Sequence, residues 1–138
     1  MIKARRRTGR GETARWADLP EEDLLELPVK NLKVRLEGTW LADCLRDVNT
    51  DLRGRGIALK IHGWLSDEWF SPIETPGIAF PFYLAHPRLM RLERKMMLEV
   101  EGGTRRECMQ LLRHEAGHVV EYAFALHKRK RFQRLFGH

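Results

Sequence analysis

The chain has 138 residues, enough for one domain with a genuine core. Apolar residues make up 43% and charged residues 32%, the balance of a folded globular protein rather than a disordered one. Lys plus Arg (25) outnumber Asp plus Glu (19), for a net charge of +6, and no apolar run approaches the roughly 20 residues that span a bilayer; a membrane-spanning protein is excluded and no membrane partner is expected.

The first residues, Met1-Ile2-Lys3-Ala4-Arg5-Arg6-Arg7, carry no apolar stretch behind their charges and do not form a secretory signal. The two cysteines, Cys44 and Cys108, have no CxxC spacing and fall on the apolar side of predicted helices. Buried reduced thiols, and a cytoplasmic protein, are expected. Residues 1–22 are polar and Arg-rich and read as a flexible basic arm; 23–138 read as one domain.

Asn31–Leu36 alternates apolar and polar residues and predicts a half-buried strand. After Gly38-Thr39, Trp40, Leu41, Cys44, Leu45, Val48 and Leu52 recur at helical spacing until Gly54 and Gly56 stop the helix. Ile57, Leu59 and Ile61 predict a second strand running toward Trp64, followed by a loop from Ser66 to Gly77. Ile78–Leu84 has strand composition, but Pro81 lacks an N–H, which confines the segment to a sheet edge or bulge. His86-Pro87 opens a helix with Leu89, Leu92, Met96 and Met97 on its buried side. Thr104 and Glu107 have capping-box spacing, so a last helix starts there and continues to about Leu126. The predicted fold is α+β, with a small mixed or antiparallel sheet.

The last helix carries His114-Glu115-Ala116-Gly117-His118, an HExxH motif. Residues four apart on a helix lie one turn apart on the same side, so both imidazoles can converge on one Zn²⁺ at about 2.0–2.1 Å. Glu115 is the candidate general base: it would take a proton from a water at the open position and pass it to a leaving amine. At about 100° per residue, Cys108, Leu112, Ala116, Val119 and Ala123 cluster opposite the histidines, so the helix can bury that stripe while the histidines face a cleft. Ala116 and Gly117 are small enough to admit a neighbouring element or a substrate. The alternative is a polar helix face that happens to carry two histidines.

The motif resembles that of the zincin metallopeptidases. The block from Trp64-Leu65-Ser66-Asp67-Glu68-Trp69-Phe70 through Pro81–Pro87 to Glu99–Thr104 resembles bacterial proteins described as zinc-binding metallopeptidases. The likeness covers roughly residues 30–137. It implies a zincin-like fold in which the active-site helix packs beside a sheet whose edge strand holds an extended substrate, with Ile78–Leu84 as the candidate edge. A zinc-dependent peptide hydrolase acting on a peptide or protein is the function implied.

A catalytic zinc normally has three protein ligands. The metzincin position, six residues after His118, is Phe124, and no acidic residue follows Glu121 to serve as a gluzincin ligand. His127 points away from the histidine face on one continuous helix and could join only if the helix breaks. Glu121 lies on the histidine side as a candidate for holding an imidazole's free N–H; His62, His86 and His138 are further histidines of the chain. The expectation is a C-terminally shortened metallopeptidase domain, inactive alone for want of the third ligand. The alternatives are a non-catalytic zincin-like module that binds a peptide or protein, or a basic nucleic-acid-binding protein.

Tyr83 and Tyr122 are candidate donors to an oxyanion, or plain core-edge tyrosines. Trp40, Trp64, Trp69, Met90, Met96 and Met97 read as core or subsite lining. The cationic run from His127 to Arg134 suits an anionic surface or nucleic acid, or simply complements the end of the preceding helix. Recognition-helix, RNP and zinc-finger signatures are absent, so nucleic acid is the least expected partner.

Overall fold

The computed structural model describes residues 15–137. The chain divides into a small unit that ends at Lys33 and a larger one that begins at Val34.

In the small unit a 3-10 turn, Arg15–Asp18, precedes two short helices, α1 (Glu21–Leu25) and α2 (Val29–Leu32). Pro20 and Pro28 stand immediately before them, and their fixed φ presets the entry of the chain into each helix. Trp16 is buried, and its Nε1 donates to the Leu32 carbonyl at 2.8 Å. The basic arm expected to reach residue 22 therefore gives way to helical structure by Arg15; its first part lies outside the described residues. The strand expected over Asn31–Leu36 does not form. Asn31 and Leu32 complete α2, and Lys33 closes it in the left-handed region (φ 48°). Leu32 and Leu36 are still buried, so the alternation records burial of a chain that has no strand to pair with.

The larger unit packs two long helices, α3 (Trp40–Gly54) and α5 (Arg105–Phe124), against a two-stranded sheet. Their apolar stripes supply Leu41, Cys44, Val48 and Leu52 from α3, and Cys108, Met109, Leu112, Ala116 and Val119 from α5. Leu36, Ile61, Ile78, Phe80, Leu84 and Val100 complete the core. The thiols of Cys44 and Cys108 are fully buried and free, and burial pushes both thiol pKa values up. The α3–α5 seam is laced at its surface by the ion pairs Arg105–Asp47 and Arg113–Asp51.

The strands β1 (His62–Ser66) and β2 (Gly77–Pro81) run parallel, with His62 opposite Gly77 and Ser66 opposite Pro81. This overturns the expected antiparallel or mixed arrangement. Residues 67–76 carry the chain back to the start of the sheet instead of reversing it in a hairpin. Gly77 makes the crossing possible, since a Cβ there would sit 2.2 Å from the Trp64 ring. The second strand expected from Ile57 begins only at His62. Ahead of it, Asn49 on α3 takes both backbone groups of Ile61, its Nδ2 donating to the carbonyl at 2.9 Å and its Oδ1 accepting from the N–H at 2.8 Å. Those groups are then no longer available to a neighbouring strand.

In this two-stranded sheet β2 is an edge strand, as expected of Ile78–Leu84, but it ends at Pro81 and is buried along its whole length. β1 lies on one side, and Phe70 bridges the other, with its carbonyl accepting from Ala79 N at 2.8 Å. At Pro81 the strand passes into a 3-10 turn, Phe82–Ala85, whose Leu84 carbonyl accepts from Trp40 Nε1 at 2.8 Å. Trp69 packs against Phe80 with ring centroids 5.1 Å apart, in keeping with a lining role.

α4 (Pro87–Met97) starts as expected: Pro87 is its first residue, and the unprotonated Nδ1 of His86 accepts from Arg88 N at 3.1 Å. Its apolar stripe is shorter than expected. Leu89 is buried and Leu92 half-buried, but Met96 and Met97 are exposed because the last turn runs past the core. Leu98 then closes the helix in the left-handed region (φ 65°), 88% exposed. α5 ends at Phe124 with Ala125 in the left-handed region, and a 3-10 turn (Leu126–Lys128) leads to α6 (Lys130–Phe136).

Candidate metal site

Thr104 fixes the start of α5, its Oγ1 accepting from Glu107 N at 3.2 Å. Burial of Cys108, Leu112, Ala116 and Val119 then sets the rotation of the helix about its axis. The expected stripe stops there, since Ala123 is exposed on a turn that overhangs the core. His114 and His118 fall on the opposite, open side, His114 exposed and His118 half-buried. Their Nε2 atoms lie 3.1 Å apart and the rings meet edge to face at 82°, with centroids 4.8 Å apart. Two ligand nitrogens of a tetrahedral Zn²⁺, each at 2.0–2.1 Å, are about 3.3 Å apart. The Nε2–Nε2 separation is thus within a few tenths of an ångström of that distance.

Tyr122 extends this face by one more turn, its ring stacked on His118 at 6.1 Å with the planes 18° apart. Tyr83 does not join it. It sits in the 3-10 turn after β2 with its ring edge-on to Phe82, and burial followed by the Glu93 and Glu101 carboxylates raises its phenol pKa. Gly117 opens onto free space, with nothing within 4 Å of where a Cβ would stand, so its small size admits no neighbouring element.

Glu115 is half-buried and held by a residue the sequence reading missed. Ser71, in the loop between the strands, donates from Oγ to Glu115 Oε2 at 2.5 Å. The same hydroxyl lies 3.3 Å from the Glu115 carbonyl. Ser71 follows Phe70, whose carbonyl is fixed on β2, so the sheet positions the carboxylate through two consecutive loop residues. No spacing rule could have found it: the contact joins residues 44 apart in sequence.

Glu121 is not engaged with either motif histidine. The break at Ala125 folds the chain back, and Glu121 Oε1 lies 3.6 Å from His127 Nδ1. The helix therefore does break where His127 needed it to, yet His127 pairs with Glu121 rather than completing the histidine couple. His62 is exposed on β1, His86 caps α4, and His138 lies outside the described residues. Among the described residues no group of three or more His, Cys, Asp or Glu is disposed to hold a metal ion. The Nε2 spacing of His114 and His118 is close to that of two ligands on one zinc ion, and a third protein ligand is not present among the described residues.

A cleft of about 740 Å³ reaches His114 along the first half of α5, between Leu111 and Glu107 on the helix and Leu98, Glu101 and Arg94 opposite. A second, about 760 Å³, follows the α3–α5 seam beside Asp47, Asp51, Arg105 and Arg113 and does not include the histidines. Among the described residues no helix is long and apolar enough to cross a membrane.

Compared with known protein families, with curated proteins and with solved structures, the chain matches none.

Proposed function

We propose that the domain carries a zincin-type zinc site and is of metallopeptidase type. The observation that carries this reading is the convergence of His114 Nε2 and His118 Nε2 to 3.1 Å on the open face of α5, with Glu115 between them in sequence. When bound, Zn²⁺ supplies Lewis acidity toward a scissile carbonyl. His114 and His118 would hold it through Nε2. Glu115 would accept a proton from water and return it to the leaving amine, with Ser71 keeping its carboxylate in place. Tyr122, stacked on His118, would lie within reach of charge developing on the substrate oxygen.

A second reading shares the fold and the metal but not the chemistry: a zinc-holding module that binds a peptide or protein without cutting it. One observation favours it, the absence of a third protein ligand among the described residues. Zinc content after dialysis tests the shared part. Metal should be present in the wild type, absent in His114→Ala and in His118→Ala, and retained in Glu115→Gln. Equal metal content in wild type and both histidine variants overturns the proposal. Hydrolysis of a mixed peptide library that disappears in Glu115→Gln separates the enzyme from the binding module.

A further inference from the structure

The cationic run is left unused by the histidine site. His127, Lys128, Arg129, Lys130, Arg131 and Arg134 crowd the chain after α5, where Glu121 is the last acidic residue. Within α6, Phe132 and Phe136 stand one turn apart with ring centroids 4.7 Å apart. At about 100° per residue, Leu135, Phe132 and Phe136 share an arc of about 100°, and Lys130, Arg131 and Arg134 occupy the remaining side. No residue of α6 is buried, and Leu135 and Phe136 are 68% and 74% exposed. The helix is held from behind: Gln133 Nε2 donates to the His127 carbonyl at 3.0 Å, and His127 faces Glu121 on α5.

We infer that α6 and the turn before it form a docking surface for an anionic lipid bilayer. A nucleic-acid duplex would satisfy the cations but leave the Phe132–Leu135–Phe136 arc in water, and an unpaired strand could stack its bases on the two rings but has no apolar partner for Leu135. A protein groove that grips a helix reads apolar anchors over more than two turns, whereas Gly137 closes α6 right after Phe136. A bilayer needs no matched groove. Its headgroups supply negative charge to the Lys and Arg side chains, and its interface takes up the aromatic and leucine side chains. The contact proposed is peripheral and differs in kind from a membrane span.

Flotation of the full chain with vesicles tests this. Phosphatidylcholine vesicles containing about 30% phosphatidylserine should bind it at about 0.05 M salt, with at least tenfold loss at about 0.3 M or on phosphatidylcholine alone. The double substitution Leu135→Ser, Phe136→Ser should also lose at least tenfold while the melting temperature is kept, since neither side chain is buried. Lys130→Gln with Arg134→Gln should weaken binding independently. Absence of flotation with the anionic vesicles overturns the inference. So does binding that survives the serine substitutions, which would mark a purely electrostatic surface of the kind nucleic acid uses.

Discussion

Asn49 and Ile61 are joined by a pair of hydrogen bonds, 2.9 and 2.8 Å, in which one side-chain amide plays the part of a neighbouring strand. The carboxamide carries one donor and one acceptor at the spacing of a backbone pair, so it closes both backbone groups at once. Replacing Asn49 by Ala leaves an N–H and a C=O without these partners beside a fully buried side chain. The expected destabilisation is roughly 1–3 kcal/mol, read as a lower denaturation midpoint with unchanged slope. Asn49→Asp keeps an acceptor for Ile61 N–H but sets a carboxylate oxygen against the Ile61 carbonyl, so it should destabilise at least as much as Asn49→Ala.

Ser71→Ala should detach the inter-strand loop from Glu115. The lost hydrogen bond to a half-buried carboxylate is worth about 1–2 kcal/mol, and a double-mutant cycle with Glu115→Ala, which removes the acceptor, should show most of that as coupling. Metal content should be unchanged, because Ser71 contacts Glu115 and not the imidazoles. Loss of zinc in Ser71→Ala would mean that the loop shapes the histidine pair as well.

His86 makes stability depend on pH. Burial, and secondarily the Arg91 charge, lower its pKa below 6.5, and its Nδ1 must be unprotonated to accept from Arg88 N. Between the folded and unfolded pKa values the unfolded chain binds more protons, so the contribution is complete above about pH 6.5 and is lost as pH falls through the folded value. Denaturation midpoints measured from pH 7.5 down to pH 5 should decline, and His86→Asn, which keeps an acceptor at the cap, should flatten that part of the curve.

Gly77→Ala should destabilise by roughly 1–3 kcal/mol, since the added methyl falls 2.2 Å from the Trp64 ring where the two strands begin to pair. Gly117→Ala, on the open face of α5, should instead stabilise by about 1 kcal/mol through helix propensity alone. Thermal melting of the two variants, shifted in opposite directions, checks both.

What could be read from residues alone was what local pattern decides. The spacing of Leu41, Cys44, Val48 and Leu52 and the Thr104–Glu107 cap located α3 and α5, and helical periodicity placed His114 and His118 on one open face. What escaped depends on tertiary partners. The alternation at Asn31–Leu36 and Ile57–Ile61 is that of a strand, but Pro28 draws the first into a helical turn and Asn49 takes the backbone of the second. Strand direction depended on the path of residues 67–76, and the Ser71 contact on the same loop, neither of which has a periodic signature.

Leu98 adopts a left-handed backbone that costs an L-residue about 1–2 kcal/mol, and it holds an isobutyl group in water at the rim of the cleft that leads to His114. Glycine would relieve both penalties at once. Sequence and backbone disagree twice over at this rim, so folding economy does not account for a leucine there.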